Sequence, residues 1–191
     1  YLDAITDGEG DNERYREFCV GRARGIGDID TRTLPAATAI GRLDGVRVLQ
    51  VYWLAARSAG TPLENPRQVS AYRYPRQYGR QSPSFARAML SGTASVVGHA
   101  TLHSDCTQRQ LQETFANFDA LIGAARAQRP TLPTHFGAGS RLKVYVRDAA
   151  ELPSVRTMLA AHLPPQVPCI ILHAAVCRRD LRIEIDGVHD A

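Results

Sequence analysis

The clearest structural pattern in the chain lies in residues 142–163, LKVYVRDAAELPSVRTMLAAHL, where a strand pattern passes directly into a helix pattern. Apolar residues alternate with more polar ones from 142 to 146, which is the period of a strand with one buried face. Asp148 is suited to cap the helix that follows, and Pro153 is tolerated in its first turn. The segment therefore predicts a strand followed by an amphipathic helix.

Patterns on either side of this segment predict the remaining elements of an α+β fold with helices on one face of a sheet. Apolar residues at helical spacing indicate helices, and β-branched runs indicate strands. Residues 58–81 are rich in proline and glycine and predict a long connecting loop. The other predicted elements are a helix over 11–25, a hairpin of strands 35–40 and 46–54 with its turn at Asp44-Gly45, a β-like stretch over 84–97, a helix with apolar residues from 111 to 125, and strands over 168–176 and 181–188.

The two ends of the chain share the order helix, apolar segment, aspartate, strand, which indicates an internal repeat. We expect residues 1–57 to form the C-terminal half of a first unit and residues 84–191 a complete catalytic unit. Residues 58–83 are then a connecting loop that carries substrate-site residues. Because the first unit lacks its front half and the chain starts at Tyr1, we expect a longer parent protein and weak or no activity in this chain alone.

Composition places the chain in the globular class and excludes several kinds of function. The 191 residues are 44% hydrophobic with a formal charge of +4, so a core can form without disulfides. Four scattered cysteines show no metal-ligand spacing and favour reduced thiols in the cytoplasm, with no metal. No apolar run reaches the length of a membrane span, and scattered arginines argue against nucleic acid. Lys143 is the sole lysine beside 22 arginines, which leaves little room for Schiff-base chemistry.

Several residues allow both a structural and a chemical interpretation. Glu184 lies either on a solvated strand face or opposite a wall that raises its pKa and makes it a general acid. Cys177 is either a buried structural cysteine or a thiol tuned by the arginines after it. Arginines can also read carboxylates with their planar forks, or simply face solvent. The arginines considered for this role are Arg73, Arg76, Arg80 and Arg87.

Specific motifs carry a family resemblance. Residues 111–122 (LQETFANFDALI), 142–148 (LKVYVRD) and 183–186 (IEID) resemble the YjgF-like reactive-intermediate deaminase superfamily. Other motifs are similar to the chorismatase family, in particular its bifunctional 3-/4-hydroxybenzoate synthases: 1–25, 64–78 (ENPRQVSAYRYPRQY), 82–88 (SPSFARA), 91–99 (SGTASVVGH) and 176–184 (VCRRDLRIE). The implied fold is a YjgF-like, chorismate mutase-like sheet with two helices on one face, plus the C-terminal half of a second similar unit.

The resemblance implies cleavage of chorismate to pyruvate and 3-hydroxybenzoate, with 4-hydroxybenzoate as a further product and without a cofactor. It also implies a trimer-like assembly and a place in pigment or ubiquinone precursor supply. Chorismate carries two carboxylates, so an acid with several arginines suits it.

The resemblance assigns roles residue by residue. Glu184 becomes the general acid, and Cys177 the catalytic-site residue that favours 3-hydroxybenzoate. The implied substrate-binding residues are Arg87 for a carboxylate, Gly92 beneath the ring, and Arg73 and Tyr72.

Two other functions stay open. One is a YjgF-type imine or enamine deaminase, although Cys169 replaces the arginine that binds substrate in those enzymes. The other is a noncatalytic ligand-binding domain. In addition, the connection from Arg87 to Ser91 is shorter than the first hairpin of the superfamily, which would alter the floor of the pocket.

Overall fold

A computed structural model describes residues 1–28, 30, 33–53, 57, 62–84 and 92–189, and it confirms the α+β class. The helices are α1 (Arg14–Ile26), α2 (Thr107–Gln128) and α3 (Leu152–His162). The strands are β1 (Leu2–Asp3), β2 (Ile40–Arg42), β3 (Thr93–Ala94), β4 (Val96–Val97), β5 (Ala100–Thr101), β6 (Arg141–Val146), β7 (Cys169–His173), β8 (Ala175–Val176) and β9 (Ile183–Val188). Within the described ranges, no helix combines the length and apolar content that a membrane span needs.

The main sheet has the strand order β3-β9-β6-β7. β6 pairs in parallel with β7 and antiparallel with β9, and β9 pairs antiparallel with β3. The predicted strand over 168–176 is in fact two strands, since β8 leaves the main sheet and joins β2 and β1 in a second sheet. β8, near the end of the chain, therefore pairs with β2, which in turn pairs with β1 at the beginning of the chain.

The helices α2 and α3 pack on one face of the main sheet, as predicted. Ile183 and Ile185 of β9 are fully buried on this face, because side chains alternate along a strand. Each fully buried aliphatic side chain contributes about 1.5–3 kcal/mol. Their neighbours in this core include Leu111, Phe118 and Ile122 of α2, Leu142, Val144 and Val146 of β6, and Val155 and Leu159 of α3. Asp148 caps the 3-10 turn Ala149–Glu151 that leads into α3, not α3 itself: its side chain accepts a 2.9 Å hydrogen bond from the Ala150 N–H, whereas Glu151 at the start of α3 makes no side-chain cap.

The opposite face of the sheet is covered by other parts of the same chain. Tyr145 of β6 is fully buried there, in a second apolar cluster with Ile40 of β2 and Val176 of β8. Glu184 and Asp186 alternate with the two isoleucines of β9, so they project toward this side. Both carboxyl groups are therefore enclosed, at 4% exposure each.

The predicted hairpin at Asp44-Gly45 is wrong. Gly45 has φ +71°, as a turn glycine does, but β2 pairs with β1 on one edge and with β8 on the other. Because both edges of β2 are occupied, residues 46–53 cannot pair with it, and Leu49 only bridges to Leu2. Their apolar side chains face solvent, and Trp53 is 80% exposed.

The predicted connecting loop is irregular over its described part, 62–81. It contains two short 3-10 turns, Ala71–Arg73 and Arg76–Tyr78. Its backbone is fixed at Val69, whose N–H donates to the Gly98 carbonyl at 2.8 Å. The turns therefore lie beside the β4-β5 hairpin.

Candidate active site

A cavity of about 460 Å³ lies beside β9, on the side away from α2 and α3. Among the described residues, its walls come from five segments of the chain: 13–16, 37–39, 74–83, 92–96 and 177–184. This volume falls in the range of about 300–1,000 Å³ that is usual for small-molecule sites.

Glu184 lies in the wall of this cavity, at the centre of the main sheet. In the β-sheet register it is paired with Ala94 on one side and Tyr145 on the other. Thr38 Oγ1 donates a 2.6 Å hydrogen bond to Glu184 Oε1. The interpretation of Glu184 as part of a solvated strand face is therefore wrong, and the wall opposite it belongs to the same chain.

Gly92 lies against this pair, and any larger residue there would displace one or both of the two side chains. A Cβ atom at position 92 would lie 1.9 Å from Glu184 Oε1 and 2.4 Å from Thr38 Oγ1. Cβ atoms do not approach other heavy atoms closer than 3.0 Å. The absence of a side chain at Gly92 therefore permits the carboxyl position seen in the structure.

Cys177 and Tyr15 form another part of the wall. The pKa of Tyr15 is raised well above its usual value, first by burial and then by the potential negative charges of Cys177, Cys19 and Glu184. Burial also raises the pKa of the Cys19 thiol to about 11. Tyr15 thus presents a neutral hydroxyl next to the acid. The sequence offered no specific signal for it beyond its place on the apolar side of α1.

Arg178 is a rigid cation in the cavity wall. Its Nη1 donates to the His99 carbonyl at 2.9 Å, and its guanidinium lies 4.2 Å from the ring centroid of Tyr78 and 5.0 Å from that of Tyr74. Stacking on aromatic faces is typical of arginine and restricts its motion. The prediction that the connecting loop contributes to the site is consistent with the position of these two tyrosines.

Arg16 and Arg179 also line the cavity, with Glu13 between them. One Glu13 oxygen lies 3.9 Å from Arg16 Nε, and the other lies 3.8 Å from Arg179 Nε. Burial raises the pKa of Glu13, which outweighs the opposing effect of both guanidinium groups. An anionic ligand would compete with Glu13 for these two cations. Among the described residues, the arginines that line the cavity are Arg16, Arg178 and Arg179, and the sequence does not indicate any of them as a carboxylate reader; it suggests Arg178 and Arg179 only for tuning the thiol of Cys177.

Comparisons with known proteins agree with the sequence motifs. A family model described as chorismatase FkbO/Hyg5-like, N-terminal, matches residues 1–55. A chorismatase of Streptomyces rapamycinicus is 35% identical over 98% of this chain and 61% of its own length. A 3-hydroxybenzoate synthase of Streptomyces hygroscopicus is 37% identical over 92% of this chain and 57% of its own.

A crystal structure of a chorismatase superposes with a TM-score of 0.78 at 33% identity, covering 98% of this chain and 61% of that one. The chain is related to the chorismatases. It spans about three fifths of the length of the relatives that it matches.

The residues that the chorismatase resemblance implied are only partly brought together. Glu184, Cys177 and Gly92 line one cavity. Tyr72 and Arg73 do not line it: they belong to the first 3-10 turn, where the Arg73 guanidinium lies 5.8 Å from the Tyr72 ring centroid. The next residue, Tyr74, does reach the cavity.

Two other residues of the sequence argument lie elsewhere. Arg87 lies outside the described residues. Cys169, the residue that distinguishes this chain from the deaminases, is exposed at the start of β7 and is not part of the cavity wall.

Proposed function

We propose that this chain carries the site of a chorismatase that cleaves chorismate to pyruvate and 3-hydroxybenzoate, with 4-hydroxybenzoate as a further product. The observation that carries the proposal is the placement of Glu184, which is buried, bonded by Thr38 and in contact range of Gly92 within a cavity that also holds arginines. The names of its relatives, chorismatase and 3-hydroxybenzoate synthase, support the same reaction.

The charges around the cavity suit a ligand with two carboxylates. Arg16 lines the cavity from α1, and Arg178 and Arg179 line it from the segment 177–184, so each of two carboxylates can meet a guanidinium. Tyr74 and Tyr78 provide flat apolar surfaces for a six-membered ring. This combination favours a cyclic dicarboxylate over a neutral or cationic ligand.

In the proposed reaction, the Glu184 carboxyl gives its proton to the terminal methylene carbon of the enolpyruvyl group. Positive charge then develops on the adjacent ether carbon. If the bond between the ether oxygen and the ring breaks, that oxygen leaves with pyruvate, the ring keeps its hydroxyl, and the product is 4-hydroxybenzoate. If the neighbouring ring hydroxyl instead adds to the cationic carbon and its own bond to the ring breaks, the ether oxygen stays on the ring, and the resulting hemiketal separates into pyruvate and 3-hydroxybenzoate. Loss of a ring proton makes the ring aromatic. The atoms of chorismate are thereby divided between pyruvate and hydroxybenzoate, with no oxidant and no net consumption of water.

Other residues have supporting roles in this proposal. Thr38 holds one oxygen of the acid, which leaves the carboxyl in a fixed orientation toward the cavity. Tyr15 supplies a neutral hydroxyl to the reacting end of the ligand. Cys177 lines the same cavity as Glu184 and, as the family resemblance implies, favours 3-hydroxybenzoate.

The test is release of pyruvate from chorismate, followed through lactate dehydrogenase, with chromatography to separate the hydroxybenzoate isomers. Glu184→Gln removes the proton donor but keeps the shape, so we expect a rate loss of about 100-fold or more. Glu17→Gln, an exposed change on α1, is the matched control and should leave the rate unchanged. Retention of most of the rate in Glu184→Gln would overturn the acid role. Absence of pyruvate both with this chain and with a longer protein that contains it would overturn the proposed reaction.

A further inference from the structure

The connection between β8 and β9, residues 177–182, brings much of the cavity wall into place without regular secondary structure. It presents Cys177, Arg178 and Arg179 to the cavity. A segment with so many functional side chains needs a fixed backbone path, because a displacement of about 1 Å can cost about 100-fold in rate. Residues that bond to the backbone of this segment would fix that path.

Arg147, directly after β6, bonds to this segment at several points. Its Nε donates to the Leu181 carbonyl at 2.7 Å, and its Nη2 donates to the Val176 carbonyl at 3.0 Å and also to the Arg178 carbonyl. Its own backbone N–H donates to the Arg182 carbonyl at 2.9 Å. One residue therefore donates hydrogen bonds to four carbonyls, three in the connection and one at the end of β8.

Gln110 of α2 holds the same segment from another side. It is fully buried, its Nε2 donates to the Asp180 carbonyl at 2.8 Å, and its Oε1 accepts from the Arg182 N–H at 2.7 Å. With Arg147, it bonds the backbone of the connection on two sides.

We propose that Arg147 is a positioning residue, whose guanidinium holds the connection so that Cys177, Arg178 and Arg179 face the cavity. Arg147 itself is not part of the cavity wall, so it acts through the segment rather than on a ligand. Only the expected change in turnover rests on the proposed function, because the placement of Cys177 can be measured without any substrate. Burial lowers the pKa of Arg147 and a negative charge on Cys177 raises it, which agrees with the closeness of the two side chains.

Lysine cannot replace arginine here. A lysine carries its donors on a single nitrogen, whereas Arg147 uses Nε and Nη2 to reach carbonyls at both ends of the connection. Arg147→Lys therefore keeps the charge and loses the spread of donors. The matched control is Arg141→Lys at the other end of β6, where an exposed guanidinium donates, within the described part of the chain, to the carbonyls of Ala138 and Ser140.

The first experiment measures alkylation of individual cysteines by iodoacetamide, with peptide mapping. In Arg147→Lys we expect Cys177 to react severalfold faster than in the parent chain, because the connection that carries it is loosened. Cys19, which is 3% exposed, should stay protected and so report that the fold is intact. Arg141→Lys should match the parent chain at both cysteines.

The second experiment measures turnover of chorismate by the same variants. Displacing the two arginines that would bind carboxylates should raise KM by about tenfold in Arg147→Lys, with a smaller change in kcat. Unchanged Cys177 reactivity together with unchanged KM would overturn the proposal. If the parent chain releases no pyruvate, the alkylation result alone decides the role of Arg147.

A second variant covers loss of folding. Arg147→Met keeps the aliphatic stem and removes all donors, so we expect faster Cys177 labelling with Cys19 still protected. If Cys19 becomes reactive in both variants, Arg147 is required for the whole fold, and its assignment to local positioning is overturned.

Discussion

Replacing Gly92 with alanine tests whether the position of the acid controls the chemistry. The added methyl group would lie 1.9 Å from Glu184 Oε1, while such contacts do not fall below 3.0 Å, so the carboxyl oxygen must withdraw by at least about 1 Å. Thr38 Oγ1, at 2.4 Å, must move as well, which breaks its bond to the acid. A displacement of this size in a reacting group costs about 100-fold in kcat/KM, equivalent to about 2.7 kcal/mol.

The assay is pyruvate release, accompanied by a thermal unfolding curve. The methyl group meets the movable end of the Glu184 side chain and the hydroxyl of Thr38, so we expect a much smaller effect on stability than on rate. The matched control is Gly123→Ala in α2, where a new Cβ meets no atom within 4 Å. Alanine should stabilise that helix by about 1 kcal/mol and leave the rate unchanged. A Gly92→Ala variant with near-parental kcat/KM would refute the reasoning.

Two further predictions concern stability. Burial raises the pKa of Cys19 from 9.0 to about 11, so the folded state holds this proton longer; the free energy of unfolding is at its full value below pH 9 and should fall by about 2–3 kcal/mol as the pH rises to 11. Urea unfolding at both pH values should show a weaker decline in Cys19→Ala, and an equal decline would contradict the assignment. Lys143 Nζ lies 3.0 Å from the buried carboxyl of Asp186, so Lys143→Met should cost about 2 kcal/mol. Adding Asp186→Asn should recover most of that loss in the same urea assay, whereas a further loss in the double variant would argue against the ion pair.

Elements with a strong local period could be predicted from the sequence. The alternation around Val144 and the helical spacing around Phe118 each depend on one buried face, and both predictions are confirmed by the core between β6 and α2. The opposite projection of Ile185 and Glu184 along β9 follows from the same alternation.

The hairpin prediction is wrong because the residues of a turn do not determine which edges of the neighbouring strands are free to pair. The chain does bend at Asp44, whose side chain accepts a hydrogen bond from the Val46 N–H, and Gly45 has a positive φ. However, both edges of β2 are paired with strands that are distant in sequence. One is β1, at the start of the chain, and the other is β8, near its end. A stretch of a few residues contains no information about such long-range pairings.

In the candidate site, too, local patterns could be predicted from the sequence and long-range contacts could not. The alternation along β9 allowed Glu184 to face a wall, but nothing near it in sequence indicated which residues form that wall. Tyr15, Thr38 and Tyr78 reach the cavity from three distant places, and their individual motifs are not distinctive. Tyr72 was named where Tyr74 reaches the cavity, because a 3-10 turn sets the direction of each side chain and its geometry was not visible in the sequence.

The hydrogen bond from Thr38 to Glu184 joins residues 146 positions apart. One consequence concerns how such a protein can diverge. A serine at position 38 would keep a hydroxyl donor for the acid, and a valine would keep the shape without it. A mutation at position 38 can thus change the strength of the acid, while β9, its register and the core beneath it remain unaltered.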